Sequence, residues 1–270
     1  NADLEGTGIY RVPYMKQFID GTPANFTGML LEDYSDNPGE KGKATIDLDK
    51  MAEAIEVATK NNISVRLHSC GDRSCREALN AYEKALKKFP ETESRHMVEH
   101  LELVDPNDIP RFGQLSIICS IQPEHLAAGT MKWEENCYPE KLGPERERYT
   151  WPFKQLKDNG AVLAGGTDCP VVEGNLFWGM YAGNTRKYYD DIPEGGWNPQ
   201  EKLTMPEMID MFTSGAAYAE HRENELGTLE EGKLADITVV DRNLLELEEN
   251  PDIRDTKVLL TMVDGRVVYS

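Results

Sequence analysis

Three short apolar segments of this 270-residue chain each end in a side chain that can bind a metal ion. They are Ile63-Ser-Val-Arg-Leu-His68, Met97-Val-Glu-His100 and Ala161-Val-Leu-Ala-Gly-Gly-Thr-Asp168. Apolar, β-branched runs of this length, followed by polar and turn-forming residues, predict buried β-strands. In a parallel α/β barrel the C-terminal ends of the strands meet on one face, and the chemistry is assembled there. The pattern therefore predicts such a barrel, with these three side chains on one rim.

Five barrel strands are predicted, and a closed barrel of this kind has eight. We therefore expect an α/β fold: a partial TIM-type (β/α) barrel made of about the last five strands, followed by C-terminal strands of a small β-sandwich domain. The predicted domains are residues 1–222 and 223–270. An open barrel exposes two sheet edges, which favours self-association, so a homo-oligomer that covers the open side is expected. The predicted strands carry Lys16, His68, His100, Gln122 and Asp168.

Several other elements can be assigned from local patterns. A first strand is predicted over residues 9–19, and Asp47 is predicted to cap a helix with apolar residues at helical spacing. Residues 205–219 are predicted to form a helix with a proline near its start. A loop is expected from Trp178 to Trp197, and Asp264-Gly265 predicts a hairpin near the C-terminus.

Charge and cysteine content exclude several classes of function. The chain has 29 basic and 48 acidic residues, a net charge of −19, with no compensating basic stripe. Such a surface repels phosphate backbones and anionic lipids, so neither nucleic acid nor a membrane is an expected partner. The five cysteines are scattered, which favours reduced thiols over a disulfide framework. We expect a cytoplasmic protein whose partner is a small-molecule substrate.

His68, His100 and Asp168 are the predicted metal ligands. Zinc and similar ions bind imidazole and carboxylate, and a catalytic site keeps one position open for water. A single histidine at a strand end is more often a hydrogen-bonded structural residue than a ligand. Three metal-capable side chains at equivalent strand ends favour a metal site instead.

Lys16, Gln122 and His125 are further candidates. A buried lysine can lose its charge and react with carbon dioxide to give a carbamate, which bridges two metal ions as a carboxylate does. The alternative is that Lys16 pairs with Asp20 or extends to water. Gln122 and His125 follow a strand end and are predicted to contact substrate or support the ligands, with turn stabilisation as the alternative.

Four other polar residues are predicted to have no direct role. His96 lies at the opposite end of its strand from His100, and His221 follows a helix, so both are interpreted as structural. Asp72 is predicted to cap a helix. Glu99 alternates with His100 and is therefore predicted to point to the other face of the strand.

Taken together, these stretches resemble the amidohydrolase superfamily, and within it amidohydrolase family 3, which includes N-substituted formamide deformylase-like enzymes and proteins called exoenzyme regulatory proteins. The resemblance extends over nearly the whole chain. It implies a metal-dependent hydrolase acting on a carbon–nitrogen bond, with a barrel and a small β-sandwich built from both ends of the chain. The matching stretches are Lys16-Gln-Phe-Ile-Asp-Gly21, His68-Ser-Cys-Gly-Asp-Arg73, Arg95-His-Met-Val-Glu-His100, Ser120-Ile-Gln-Pro-Glu-His125, Gly165-Gly-Thr-Asp168-Cys-Pro170 and Gly232-Lys-Leu-Ala-Asp236.

The resemblance also implies roles for single residues. Lys16 matches the lysine thought to be carboxylated, and His68 and His100 match metal-binding histidines. Asp168 matches an aspartate that binds metal and accepts the proton of the attacking water. The implied cofactor is a divalent metal, most simply zinc, with one or two ions in the intact parent protein.

One feature of the family is missing from this sequence. The family's first barrel strand ends in a His-x-His pair, and no His-x-His occurs here. We therefore expect this chain to carry at most half of the metal ligands, and its own activity to be reduced or absent. The alternative function is a non-catalytic regulatory or binding protein that retains the barrel.

Overall fold

Five parallel strands pair in the same order as they occur in the chain, β1-β2-β3-β4-β5. The computed structural model describes residues 14–127 and 131–270. All five predicted barrel strands are confirmed, although residues 9–13 of the first lie outside the described part of the chain. A sequential parallel sheet with helical crossovers is the arrangement found in α/β barrels. The strands are β1 (Tyr14–Phe18), β2 (Ser64–Ser69), β3 (Met97–His100), β4 (Ile118–Ile121) and β5 (Leu163–Gly165).

Helices follow or precede these strands and cover the sheet. Asp47 caps the first of them, as predicted, because its carboxylate accepts hydrogen bonds from the backbone N–H of Asp49 and Lys50. The helices are α1 (Leu48–Lys60), α2 (Asp72–Lys88), α3 (Ile109–Gln114), α4 (Tyr138–Glu147), α5 (Phe153–Asp158), α6 (Leu176–Thr185), α7 (Met205–Asp210) and α8 (Ala216–Ala219).

The main core lies between the sheet and these helices. Val65, Leu67 and Val98 are fully buried on the strands and belong to one cluster with apolar residues of α1 and α2. Tyr82 of α2 adds a polar connection, since its hydroxyl donates to the carbonyls of Val65 (3.1 Å) and Met97 (2.9 Å). Helix α2 is thereby held on β2 and β3, the two strands that carry His68 and His100.

The prediction of a loop from Trp178 to Trp197 is wrong for the first part of this region. Helix α6 begins at Leu176 and ends at Thr185. Most of the residues of α6 are buried, so the helix lacks the apolar stripe that identifies an amphipathic helix. The predicted helix over residues 205–219 is confirmed: α7 and α8 are joined by a π-helical turn, Met211–Gly215.

A separate antiparallel sheet forms the C-terminal part of the chain. It contains β6 (Ile237–Val240), β7 (Val258–Val263) and β8 (Arg266–Tyr269), in that order. The predicted hairpin is confirmed, with Asp264 and Gly265 both in the left-handed region that such a turn requires. Ile253, just before β7, is fully buried in the main core cluster.

The structure also bears on the predictions about membranes and disulfides. Among the described residues, no helix has the length and apolar character that crossing a bilayer requires. All five cysteines are free thiols, as predicted.

Candidate active site

A row of aromatic rings runs along the C-terminal edge of the parallel sheet. Phe18 ends β1, and its ring centroid lies 4.6 Å from that of His68 on β2. The His68 ring lies 4.4 Å from that of His100 on β3, which in turn stacks on His125, after β4, at 5.5 Å. The structure thus brings together three predicted site residues from three successive strands.

The end of β3 departs from simple strand alternation. His100 and Leu101 have φ values of +75° and +55°, in the left-handed region that residues other than glycine rarely adopt. This turn brings the His100 ring onto the His68 ring, on the face that Glu99 already occupies. Backbone strain at such positions is of the order of 1 kcal/mol or more and is often found at functional sites.

The prediction that Glu99 points to the other face is therefore wrong. Its carboxylate forms ion pairs with Lys16 of β1 and with Arg66 of β2, whose Nε lies 3.1 Å from Glu99 Oε1. Glu99 Oε2 also lies 4.0 Å from His100 Nε2. The prediction assumed that neighbouring residues of a strand point to opposite faces of the sheet. The left-handed backbone at His100 breaks this alternation.

Asp168 completes the site on the side of β5. It also has a left-handed backbone, with φ +60°, and its Oδ2 lies 3.9 Å from His125 Nε2. Metal-capable atoms of His100, His125 and Asp168 all lie within 4.8 Å of one another. Two imidazoles and a carboxylate form a ligand set suited to zinc and similar divalent ions.

The histidines of the site are held in their uncharged form, which is the form that binds metal. Burial is the main cause: it lowers the pKa of His68 to about 4 and also lowers the pKa values of His100 and His125. Within residues 14–127 and 131–270, the buried atoms His68 Nδ1, His125 Nε2 and Gln122 Oε1 have no hydrogen-bond partner. Buried polar atoms without partners are costly unless something binds them, so these atoms fit a site that receives a cation or substrate.

Lys16 lies at the margin of this group. Its side chain is 35% exposed, and its ammonium lies 4.8 Å from the centroid of the Phe18 ring. Burial, with a smaller effect of the nearby Arg66 charge, lowers the pKa of Lys16 to about 8. Its partner is Glu99, so the predicted alternative of a pair with Asp20 is wrong.

Asp20, predicted only as an alternative partner for Lys16, instead connects several backbone segments beside the site. Its buried carboxylate accepts from the backbone N–H of Met29 (2.8 Å), Cys70 (3.1 Å) and Gly71 (3.0 Å), and from Ser74 Oγ (2.7 Å). Burial nevertheless raises the pKa of Asp20 to about 6. Only the position of Asp20, directly after a strand, signals this role in the sequence.

The turn after His68 differs from prediction at one position. Gly71, not Asp72, is the cap of α2, and Asp72 is the first helical residue. Asp72 Oδ1 accepts from Arg73 N within that first turn and from Leu31 N, both at 2.9 Å. It therefore joins the loop after β1 to the start of α2.

His96 and His221 lie away from the site, as predicted. His96 Nδ1 accepts from Val65 N at 3.1 Å, and His96 Nε2 lies 3.0 Å from Thr59 Oγ1. His221 Nε2 lies 3.1 Å from Ser64 Oγ. These bonds connect the N-terminal ends of the strands, opposite the edge that carries His68.

A second group of buried polar side chains, which includes Cys70 and Glu102, lies beside His68. Cys70 Sγ lies 3.3 Å from His68 Nε2. Nearby, the buried carboxyl group of Glu102 accepts from the Tyr138 hydroxyl at 2.6 Å. Burial raises the pKa of the Cys70 thiol well above its usual range, and it raises the pKa of Glu102 to about 7.

Comparison with known proteins identifies a matching family and several relatives of this chain. A model of the amidohydrolase family matches residues 6–269. Protein LONG AFTER FAR-RED 3 of Arabidopsis thaliana is 30% identical over 259 residues, which are 94% of this chain and 42% of the relative. The putative amidohydrolase YtcJ of Bacillus subtilis (strain 168) is 28% identical over 256 residues, 94% of this chain and 46% of the relative. N-substituted formamide deformylase of Arthrobacter pascens is 26% identical over 212 residues, 78% of this chain and 38% of the relative.

The fold is similar to solved structures as well. The crystal structure of an uncharacterized metal-dependent hydrolase from Pyrococcus furiosus superposes with a TM-score of 0.71 at 28% identity. The match covers 86% of this chain and 44% of that structure. The chain thus spans less than half the length of the relatives and of the solved structure it matches.

Proposed function

This chain belongs to the amidohydrolase family, and on that premise we propose that it supplies part of the active site of a metal-dependent hydrolase that cleaves amide-type carbon–nitrogen bonds. One observation carries the proposal: His100 and Asp168, two of the predicted metal ligands, have metal-capable atoms within 4.8 Å of each other at the C-terminal edge of the sheet, and the His68 ring lies 4.4 Å from the His100 ring. The similar structure from Pyrococcus furiosus is called a metal-dependent hydrolase, which supports the same reaction class.

We assign the metal-binding role to His68, His100 and Asp168, with Lys16 as a further ligand once it is carboxylated. The proposed cofactor is a divalent ion, zinc by its preference for imidazole and carboxylate. When bound, such an ion lowers the pKa of water and polarises a carbonyl group. The uncharged imidazoles offer their lone pairs without first losing a proton.

Asp168 is the proposed proton carrier. Its side chain is 43% exposed, so it can meet both a water molecule and a bound substrate. In this mechanism Asp168 accepts a proton from the attacking water and then donates it to the leaving nitrogen. Gln122 and His125 are the proposed substrate contacts, because each has a buried polar atom that lacks a hydrogen-bond partner among the described residues, and His125 lies beside both Asp168 and His100.

Carboxylation of Lys16 follows from ordinary amine chemistry. The uncharged Lys16 nitrogen attacks the carbon of carbon dioxide. A nitrogen–carbon bond forms as one carbon–oxygen π bond breaks and its electron pair moves to that oxygen, and the nitrogen then loses a proton to solvent. The product is an anionic carbamate. A pKa of about 8 provides the uncharged amine at a useful level near neutral pH.

Zinc binding by the purified 270-residue chain tests the proposal. We expect zinc close to one equivalent in the wild type and its loss in His68→Ala and Asp168→Ala. His221→Ala is the matched control, because His221 bonds Ser64 at the opposite end of the strand. Equal zinc content in the wild type and the two site variants would overturn the proposal.

Hydrolysis is tested separately, with the zinc-loaded chain and a panel of N-substituted formamides and simple amides. Amine release that depends on Asp168 would support the hydrolase. Zinc binding without amine release would instead favour the binding or regulatory role for this chain.

A further inference from the structure

Glu124, which the proposed mechanism does not use, is a buried acidic residue with an unpartnered oxygen. It is 4% exposed, and its Oε2 has no hydrogen-bond partner among the described residues. An unpaired carboxylate is costly to bury, because it loses water without gaining another donor. The other buried acidic residues in the described part of the chain all have partners; they are Asp20, Asp72, Glu99, Glu102, Asp108 and Glu201.

Glu124 lies between the two proposed substrate contacts, Gln122 and His125. It belongs to a 3₁₀ helix, Pro123–Ala127, which follows β4 and also contains His125. Within residues 14–127 and 131–270, Gln122 Oε1 and His125 Nε2 likewise lack hydrogen-bond partners. His125 Nε2 in turn lies 3.9 Å from Asp168 Oδ2. The turn after β4 therefore presents three unpartnered polar atoms, and its histidine lies beside the proposed proton carrier.

Helix α6 holds this turn in place. A Cβ at Gly183 would lie 3.3 Å from the Cβ of Pro123, and a Cβ at Gly179 would lie 3.9 Å from the backbone nitrogen of Glu124. The two glycines thus allow α6 to pack closely on the 3₁₀ helix. The backbone that carries the Glu124 carboxylate is therefore fixed before a ligand binds, and such preorganisation favours affinity.

The missing partner of Glu124 must be a hydrogen-bond donor, because a carboxylate has only acceptors. Among the described residues, Glu124 belongs to neither group of three metal-capable side chains, so a metal ion would find too few ligands here. An organic ammonium group supplies both the protons and the opposite charge, and such charge-assisted hydrogen bonds are strong. The net charge of −19 attracts cations at longer range as well.

We propose that Glu124 is a specificity-determining residue that binds an ammonium group on the nitrogen side of the substrate's amide bond. The nitrogen side follows from Asp168, which lies beside His125, the residue after Glu124. The substrate class is then the amides of diamines, with one amine acylated and the other free. This inference rests on the proposed function, in which Asp168 donates its proton to the leaving nitrogen.

Two amides of nearly equal size test the role of Glu124. N-(2-aminoethyl)acetamide ends in an ammonium group, and N-propylacetamide ends in a methyl group at the same place. Binding of each amide to the metal-free chain is measured by ligand-observed NMR titration. The titrations are made at pH 8, because burial and the Glu173 carboxylate raise the pKa of Glu124 to about 7.

We expect the wild type to bind the cationic amide about 10-fold more tightly than the neutral one, as one charge-assisted hydrogen bond provides. Glu124→Gln is expected to remove this preference, because glutamine keeps the size of the side chain and loses its charge. Glu134→Gln is the matched control: it removes the same charge at an exposed position, and the preference should persist. Equal dissociation constants for the two amides in the wild type, or a preference that persists in Glu124→Gln, would overturn the proposal.

Unfolding in urea separates a binding role of Glu124 from a structural one. An unpartnered buried charge destabilises the ligand-free fold, so Glu124→Gln is expected to raise the unfolding midpoint at pH 8, while Glu134→Gln leaves it unchanged. Replacing a structural carboxylate would lower the midpoint, and that result would overturn the proposal. Both readouts use metal-free protein, so a failure to bind zinc or to release amine counts against the proposed function and is distinguishable from these outcomes.

Discussion

Lys16 of β1 and Glu99 of β3 form an ion pair across the strand that separates them. Arg66 of that middle strand forms a second ion pair with the same carboxylate, with its Nε 3.1 Å from Glu99 Oε1. One buried carboxylate thus lies between two cations, at the edge of the sheet where His68 and His100 also lie. We therefore expect the Glu99 carboxylate to affect both the stability of the fold and the chemistry of Lys16.

Replacing Glu99 by glutamine is expected to destabilise the fold by about 2 kcal/mol. Removing one member of a buried ion pair costs about 3 to 5 kcal/mol, and the smaller figure allows for solvent screening of the partly exposed Lys16. Urea denaturation measures the change, with Glu91→Gln at an exposed position as the control. A Glu99→Gln variant as stable as the control would contradict the inferred coupling.

The same substitution is expected to increase carboxylation of Lys16. Glu99 favours the ammonium form of Lys16 and would repel an anionic carbamate at the same position. The carbamate is detected by ¹³C NMR after equilibration with ¹³C-bicarbonate, and Lys16→Arg identifies its signal by loss. An unchanged or weaker signal in Glu99→Gln would show that Glu99 does not oppose the reaction.

Gly71→Ala is expected to destabilise the chain by about 2 kcal/mol, within the usual range for inserting a methyl group into a packed site. A Cβ at Gly71 would lie 2.2 Å from the carbonyl oxygen of Met29, which is backbone and cannot rotate away. Gly166→Ala is the control, since a Cβ there meets no atom of the described residues within 4 Å. Comparable stability of the two variants in urea would refute the predicted close approach.

His96 is expected to make stability depend on pH. Burial lowers its pKa from 6.5 to about 4, so the unfolded chain binds the proton more readily than the folded chain. The contribution of His96 is complete above about pH 6.5 and is lost as the pH falls toward about 4. Between about pH 7.5 and about pH 5 the expected loss is about 2 kcal/mol.

His96→Asn isolates this effect, because asparagine does not titrate. Buried Asp20 and Asp72, whose pKa values are raised to about 6, act in the opposite direction in both proteins. The test is therefore the difference between wild type and variant at the two pH values, measured by urea denaturation. An equal pH dependence in both would show that His96 is not the titrating group.

Much of the site could be predicted because strand order and strand ends are visible in the sequence. His68, His100 and Asp168 each follow an apolar run, and consecutive parallel strands bring such ends together. The position of His125 followed in the same way from its place after β4. The order of the strands alone is enough to predict that these side chains lie on one edge of the sheet.

The errors arise where local backbone geometry overrides pattern. The left-handed conformation of His100 has no signal in the sequence. It is the reason why Glu99 was wrongly predicted to point away from the face of the sheet that His100 occupies. Helix α6 was missed because burial removes the polar face by which helices are recognised. The role of Asp20 depends on backbone N–H groups of Met29 and Gly71, and sequence patterns do not report such contacts.

The carboxylate of Asp20 makes one wall of the site rigid. It joins the end of β1, the loop at Met29 and the turn at Cys70 and Gly71, so none of these segments can move without breaking hydrogen bonds inside the protein. An incoming ligand therefore meets a preorganised surface on the side of His68. Residues 169–171, directly after Asp168, are exposed instead, which makes this segment the place to vary when a new specificity is sought.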